Sequence, residues 1–277
     1  MAVGETEKAT YTIPIGPIHP ALKEPIQLML EIEGEKVVNT DVRVGQVHRS
    51  IEWLGMNRNN PVQTLYVAER ICGICNICHP FCLAMAVEQA ANIMVPDRAE
   101  YIRVIAAEME RIHSHILWAG VAAHEIGFDT VFYLTWRVRE EIMDLIEYVF
   151  GNRVTKAVLQ FGGVRRDITA EQLPRIRKSL DYYKSIFEHL RRIFLEDKTV
   201  QMRTRNVGVL STEDALKLLA VGPTGRASGV PKDVRQDQPY SAYADLNVKA
   251  ITPDIITGTV VGDVYDRIIV RLLEVKQ

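Results

Sequence analysis

All four cysteines of this 277-residue chain fall in one run of eleven residues, Cys72-Gly73-Ile74-Cys75-Asn76-Ile77-Cys78-His79-Pro80-Phe81-Cys82. A C-x-x-C turn is too tight to tie distant parts of a chain together, so no disulfide staples this fold and a hydrophobic core must hold it. The length permits that core, as one large domain or as a domain with a lobe. An apolar fraction of 47%, a charged fraction of 25% and a net charge of −2 are ordinary for a globular protein. They exclude the electrostatic footprint of a nucleic-acid or anionic-membrane binder, and no nucleic-acid partner is expected. Residues 1–12 lack a basic-then-apolar leader pattern, and no apolar run approaches the roughly 18 to 20 residues of a spanning helix. The expectation is a cytoplasmic chain that is not itself embedded in a membrane.

Alternation and turn residues predict strands over Tyr11–Ile15, Ile26–Ile32 and Val37–Val44, with a turn at Glu33-Gly34-Glu35, giving a small antiparallel sheet. Helices are predicted over Leu83–Met94, from about Asp97 through the stripe Ile102, Ile105, Met109, Ile112 and Ile116, and from Asp129 to about Val149. Two more are predicted, one from a Thr169/Gln172 capping box to about Phe194 and one from Asp263 to the last residues. Residues 221–247, rich in Gly, Pro and Asp, read as an ordered irregular loop. The expected fold class is α+β: an N-terminal β lobe over 1–50, then a long-helix bundle over 51–277 that carries the cysteines.

Soft ligands gathered in one segment of a reducing compartment point to a metal or redox centre. Three readings stay open from the residues. The spacing C-x2-C-x2-C-x3-C is that of iron–sulfur cubane runs, although Leu83 stands where ferredoxins place Pro and the run occurs once. Cys72 and Cys75 alone form half of a thiolate metal site whose second pair is absent from these residues. Buried, inert cysteines are the third reading.

Glu69-Arg70-Ile71-Cys72-Gly73-Ile74-Cys75, followed by His79, resembles the first cysteine motif of [NiFe] hydrogenase large subunits. Gly16-Pro17-Ile18-His19-Pro20, His48-Arg49-Ser50-Ile51-Glu52, Glu110-Arg111-Ile112-His113-Ser114-His115, Gly162-Gly163-Val164-Arg165-Arg166-Asp167 and Gly262-Asp263-Val264-Tyr265-Asp266-Arg267 are similar to the energy-converting membrane-bound branch and to the quinone-site subunit of complex I. The likeness runs from about residue 11 to the end, and implies a hydrogenase-large-subunit-like fold that is short at its C-terminal side. With no second C-x-x-C, it implies that a nickel–iron site is not completed by this polypeptide alone. Ala21-Leu22-Lys23-Glu24-Pro25 departs from the second His of complex I relatives, which puts a quinone headgroup site in doubt.

What remains resembles the large subunit of the membrane-bound sulfane sulfur reductase of anaerobic archaea. That resemblance implies a respiratory oxidoreductase with ferredoxin as donor and a complex I-type small subunit carrying a [4Fe-4S] cluster. It also implies further peripheral-arm subunits, an ion-translocating membrane arm with antiporter-like subunits, and a place on the cytoplasmic face of the membrane. A separate polypeptide completing the C-terminal region is a further expected partner. No cofactor is assigned to this chain with certainty. Cys72, Cys75, Cys78 and Cys82 are the expected catalytic thiols, with Cys72 and Cys75 as candidate metal ligands. Arg70 or protonated His79 is expected to lower a thiol pKa, and Glu52 and His79 to relay protons. The alternatives are a hydrogenase with a split large subunit and a non-catalytic scaffold.

Blander readings stand beside these. Glu52 pairs with Arg49 or Arg70, and Glu24 carries the same ambiguity. His19 satisfies backbone at a turn, and His113 and His115, two apart on a helix, face different sides and serve packing. Gly222, Gly225 and Gly229 match no phosphate loop and let Arg226 and Arg235 reach buried carboxylates such as Asp266. Arg165, Arg166 and Asp167 form a charge network.

Overall fold

A computed structural model describes residues 10–20, 22–57 and 60–277. Compactness divides the chain after Asn57 into two units. The first holds an antiparallel sheet in the order β1 (Thr10–Ile15), β2 (Gln27–Glu33), β3 (Lys36–Arg43). A two-residue loop joins β2 to β3, where Gly34 takes φ +64°, and a bulge beyond Glu31 leaves Val38 outside the ladder. The short helix α1 (Ile51–Met56) clusters with this sheet.

The second unit is helical. After α2 (Pro61–Ala68) come α3 (Cys78–Ala91), α4 (Asp97–Glu125) and α5 (Asp129–Phe150). A small hairpin of β4 (Leu159–Gln160) and β5 (Gly163–Val164) leads to α6 (Leu173–Glu196) and α7 (Lys198–Thr204). The remainder is α8 (Thr212–Lys217), α9 (Gly222–Ala227), α10 (Val234–Asp237), a 3₁₀ turn at Ser241–Asp245, α11 (Asp254–Thr257) and α12 (Val264–Lys276). Among the described residues no helix is long and apolar enough to cross a membrane.

The α4–α5 hairpin is the spine, and α6 and α12 pack against it. Its core takes Ile102, Met109, Ile116 and Ala123 from α4 and Val138, Ile142 and Ile146 from α5. Phe187 and Phe194 of α6 and Ile268 and Leu272 of α12 complete it. Ile105 and Ile112 lie at the margin of the expected stripe, Ile105 being 38% exposed and Ile112 half-buried. At about 100° per residue they are rotated some 60° and 80° from Ile102, past the edge of the buried face. Small residues widen that face instead: Gly120 lies so close to Thr135 of α5 that a Cβ would come within 2.9 Å of its hydroxyl.

Three local outcomes differ from the sequence expectations. Helix α3 opens at Cys78, five residues before the predicted Leu83, because Glu110 of α4 accepts the N–H groups of Ile77 and Cys78 at 2.6 and 3.1 Å. A carboxylate from another helix thus satisfies donors that a local cap would otherwise meet. At α6 only half of the capping box forms: Thr169 N–H donates to Gln172 Oε1, and the helix itself begins at Leu173. The 221–247 stretch is not a plain loop but folds α9, α10 and the 3₁₀ turn, with Asp233 capping α10 through Arg235 N–H. The last helix starts as predicted, Asp263 accepting from Asp266 N–H.

Candidate functional site

The cysteine run links α2 to α3. Ile74 N–H donates to Cys72 Sγ at 3.3 Å, the amide-to-sulfur bond of a tight thiol turn. One step on, Cys75 Sγ lies 3.5 Å from His79 Nε2. All four cysteines are free thiols: Cys72 and Cys75 are half-buried, Cys78 and Cys82 exposed and one helical turn apart on α3.

What fixes this turn is polar and lies beneath it. Asn76, fully buried, donates to Val154 O and accepts from Lys156 Nζ at 2.7 Å. Lys156 Nζ also donates to Glu110 Oε2 at 3.1 Å, and Cys78 Sγ–H donates to Glu110 Oε1 at 3.2 Å. One carboxylate therefore holds two backbone amides, a thiol and an ammonium. Glu69, also buried, lies 3.6 Å from the Arg70 guanidinium.

The electrostatics run against one expectation. Dehydration, then the neighbouring Cys72 thiol and Glu110, push the Cys75 thiol well above its usual range. Cys78, although part of the residue meets solvent, is pushed up to about 12 by dehydration of its sulfur and by Glu110. A helix N-terminus favours thiolate, but here the carboxylate that caps it opposes that effect. Arg111 pulls Cys78 down, but burial and Glu110 outweigh it, and both thiols stand above their usual range. Arg70 instead donates to Tyr66 O at 2.7 Å and faces Glu69. Burial likewise raises Glu69 and lowers Lys156, against the opposing pull of their charged neighbours. His113, beside Arg139 and Lys156, falls to about 3, with burial the main cause, and is neutral.

Of the residues singled out from sequence, Cys72, Cys75, Cys78, Cys82, His79 and Arg70 come together in the second unit. Glu52 belongs to the first unit, exposed on the first turn of α1, and Glu24 and His19 are exposed there as well. His113 and His115 do face apart: His113 Nδ1 meets Arg139 of α5 at 3.3 Å, while His115 Nε2 meets Glu274 of α12 at 2.7 Å. Arg226 and Arg235 reach buried carboxylates other than Asp266. Arg226 pairs with Glu274 and Asp233, and Arg235 with Asp233 and Glu108. Asp266 Oδ2 instead accepts the N–H groups of Val261 and Gly262, five and four residues back. Asp167 pairs with Arg98 at 2.8 Å, Arg165 donates to Ala157 O, and the Arg166 guanidinium lies over Gly151. Asn76, Glu69 and Lys156 were not legible as site residues, because their contacts join positions up to 80 apart.

A cavity of about 300 Å³ adjoins this region, lined by Arg111, Arg226, Lys232, Asp233, Arg235 and Tyr240 among others. As for metals, Cys72 and Cys75 offer two sulfur donors in one turn. No group of three or more His, Cys, Asp or Glu side chains gathers in a ligating arrangement among the described residues.

A sheet followed by long helices, with a thiol turn between α2 and α3, is the architecture consistent with hydrogenase-type large subunits. Residues 125–277 match the family described as the 49 Kd subunit of respiratory-chain NADH dehydrogenase, and residues 49–119 match nickel-dependent hydrogenases. The membrane-bound hydrogenase subunit alpha of Pyrococcus furiosus is 48% identical over 95% of this chain and 61% of its own length. The carbon monoxide-induced hydrogenase of Rhodospirillum rubrum is 38% identical over 96% of this chain and 72% of its own. A subunit of the F(420)H(2) dehydrogenase of Methanosarcina mazei is 36% identical, covering 98% and 71%. The chain belongs to this family of complex I 49 kDa and membrane-bound hydrogenase large subunits. It spans 61% of the length of the Pyrococcus relative.

Proposed function

We propose that the chain is the large subunit of a ferredoxin-driven, ion-translocating complex on the cytoplasmic face of a membrane, and that its cysteine run reduces the S–S bonds of sulfane sulfur. One observation carries this reading. Cys78 and Cys82 are exposed thiols one helical turn apart, added beside the Cys72–Cys75 turn and beyond what a paired-thiolate turn requires. A sulfur of the run attacks a polysulfide S–S bond, forming a mixed disulfide and releasing the shortened chain as its anion. Two electrons, delivered through the [4Fe-4S] cluster of a small partner subunit, then break that disulfide. Two protons return both sulfurs to thiols.

A second reading keeps the hydrogenase activity, with the other two thiolates supplied from outside these residues. The Cys72–Cys75 turn with its Ile74 N–H to sulfur bond favours it, as does the likeness to a membrane-bound hydrogenase subunit alpha. The purified complex, given reduced ferredoxin and polysulfide, distinguishes the two. Sulfide release with no stoichiometric nickel supports sulfane reduction, whereas H2 release with nickel overturns it in favour of hydrogenase. Full turnover in Cys75→Ser and Cys82→Ser overturns both and leaves a scaffold.

A further inference from the structure

The cavity of about 300 Å³ beside the cysteine helix is built from charge, and the sulfur chemistry proposed above gives it no role. Its wall takes Arg111 from α4, Arg226 from α9, Lys232 and Asp233 from the turn before α10, Arg235 from α10 and Tyr240 from beyond it. Two of the arginines form a fixed floor, being 4% and 5% exposed with every guanidinium nitrogen committed. Arg226 bonds Glu274 through Nε and the Lys232 carbonyl through Nη1, and meets Glu274 again through Nη2. Arg235 bonds Asp233 through Nε and Nη2 and Glu108 through Nη1.

Arg111 differs. Its Nε donates to Glu108 Oε2 at 3.0 Å, but among the described residues its Nη1 and Nη2 donate to no acceptor, although the side chain is only 23% exposed. Lys232, exposed at the same cavity, makes no ion pair among the described residues. Four cations thus face three carboxylates, Glu108, Asp233 and Glu274, each already bonded to an arginine. A guanidinium edge left open in a cavity with surplus positive charge is suited to receive an anion through two donors at once. Pro223, Val230 and Tyr240 add apolar wall, which suits weakly hydrated sulfur better than a bare oxyanion. The cavity also adjoins the helix that carries the exposed thiols. The Tyr240 ring meets Phe81 edge-on at 5.7 Å, and Phe81 lies on α3 between Cys78 and Cys82. Arg111 itself follows Glu110, which accepts the Cys78 thiol hydrogen.

We propose that the open guanidinium edge of Arg111, together with Lys232, binds the anionic end of a sulfane sulfur chain in this cavity, beside the helix of Cys78 and Cys82. This rests on the sulfane reduction proposed above and narrows it. The substrate is a charged chain such as polysulfide, and a neutral dialkyl polysulfide is the poorer one.

Equilibrium dialysis of the purified complex against radiolabelled thiosulfate, a dianion that carries a sulfane sulfur, tests the site without reductant or turnover. The parent complex is expected to bind with a Kd of about 1 mM or tighter, and sulfate to compete about fivefold less well or worse. Arg111→Met keeps the apolar stem and removes the open edge, and is expected to weaken binding by about tenfold; Lys232→Met, at an exposed position, weakens it by about threefold. In assays with reduced ferredoxin, Arg111→Met raises the KM for polysulfide by about tenfold and lowers the preference for polysulfide over dimethyl trisulfide, while Arg111→Lys recovers part of the loss. No binding in the parent, binding unmoved in both variants, or sulfate bound as tightly as thiosulfate overturns the proposal. A complex that releases only H2 yet loses thiosulfate in both variants overturns the reaction and supports the site. Sulfide release with binding and KM unmoved overturns the site and leaves the reaction standing.

Discussion

Glu110 lies on the longest helix of the chain, 32 residues from the thiol it holds, and nothing in its own neighbourhood announces that role. Its sequence phrase contributed to the family likeness, but the contacts that matter are to α3 and to Lys156. Buried charge of this kind is costly to interrupt. Arg103, fully buried, forms a two-pronged pair with Glu88 at 2.9 and 2.6 Å and also donates to Gln160 O and Gly163 O. Arg103→Met strands Glu88 inside, and urea unfolding is expected to show a loss of about 3 to 5 kcal/mol. His113 makes a pH prediction. Its folded pKa is depressed to about 3, so below the unfolded value near 6.5 the unfolded chain binds a proton that the folded chain refuses. Its contribution to stability is therefore full above that pH and shrinks by about 1.4 kcal/mol per unit as pH falls toward 3. Denaturant midpoints measured from pH 7 to pH 4 are expected to fall in the parent, and to fall less steeply in His113→Gln.

Among elements, legibility followed how local the cause was. Helices α4, α5 and α12 were readable because their apolar spacing and, for α12, the Asp263 cap lie within the segment itself. The strands were readable for the same reason, since alternation and the Gly34 turn are adjacent in sequence. The start of α3 was not, because its cap comes from Glu110, and α9 was masked by Gly222 and Pro223 in its first turn and Gly225 within it. Close approach of α4 to α5 gives a direct test. Thr135 Oγ1 is committed to Val131 O and Phe132 O at 2.5 and 2.8 Å, so it cannot swing away from a new methyl group at position 120. Gly120→Ala gains roughly 1 kcal/mol of helix propensity, yet the clash is expected to outweigh it, leaving the protein less stable by about 1 to 2 kcal/mol in thermal or urea unfolding.

For the molecule as a whole, the cysteine run stood out as the candidate centre from its spacing, and the structure adds the charged floor beneath it. The floor also reverses the expected thiol chemistry: Cys75 and Cys78 are held as thiols by burial and by Glu110, not activated by Arg70. If the run reduces sulfane sulfur, Cys82→Ser and Cys75→Ser both lower sulfide release by about a hundredfold or more while leaving the partner's cluster reducible, since each removes a sulfur from the exchange. The measurement that bears most directly on this account is rapid alkylation and peptide mass analysis of residues 70–82 in the purified complex, quenched while it turns over polysulfide. The account predicts a persulfide or mixed disulfide on a cysteine of the run, lost again when the supply of sulfane sulfur ends. Four freely alkylated thiols at every time point, with sulfide still being released, would contradict it.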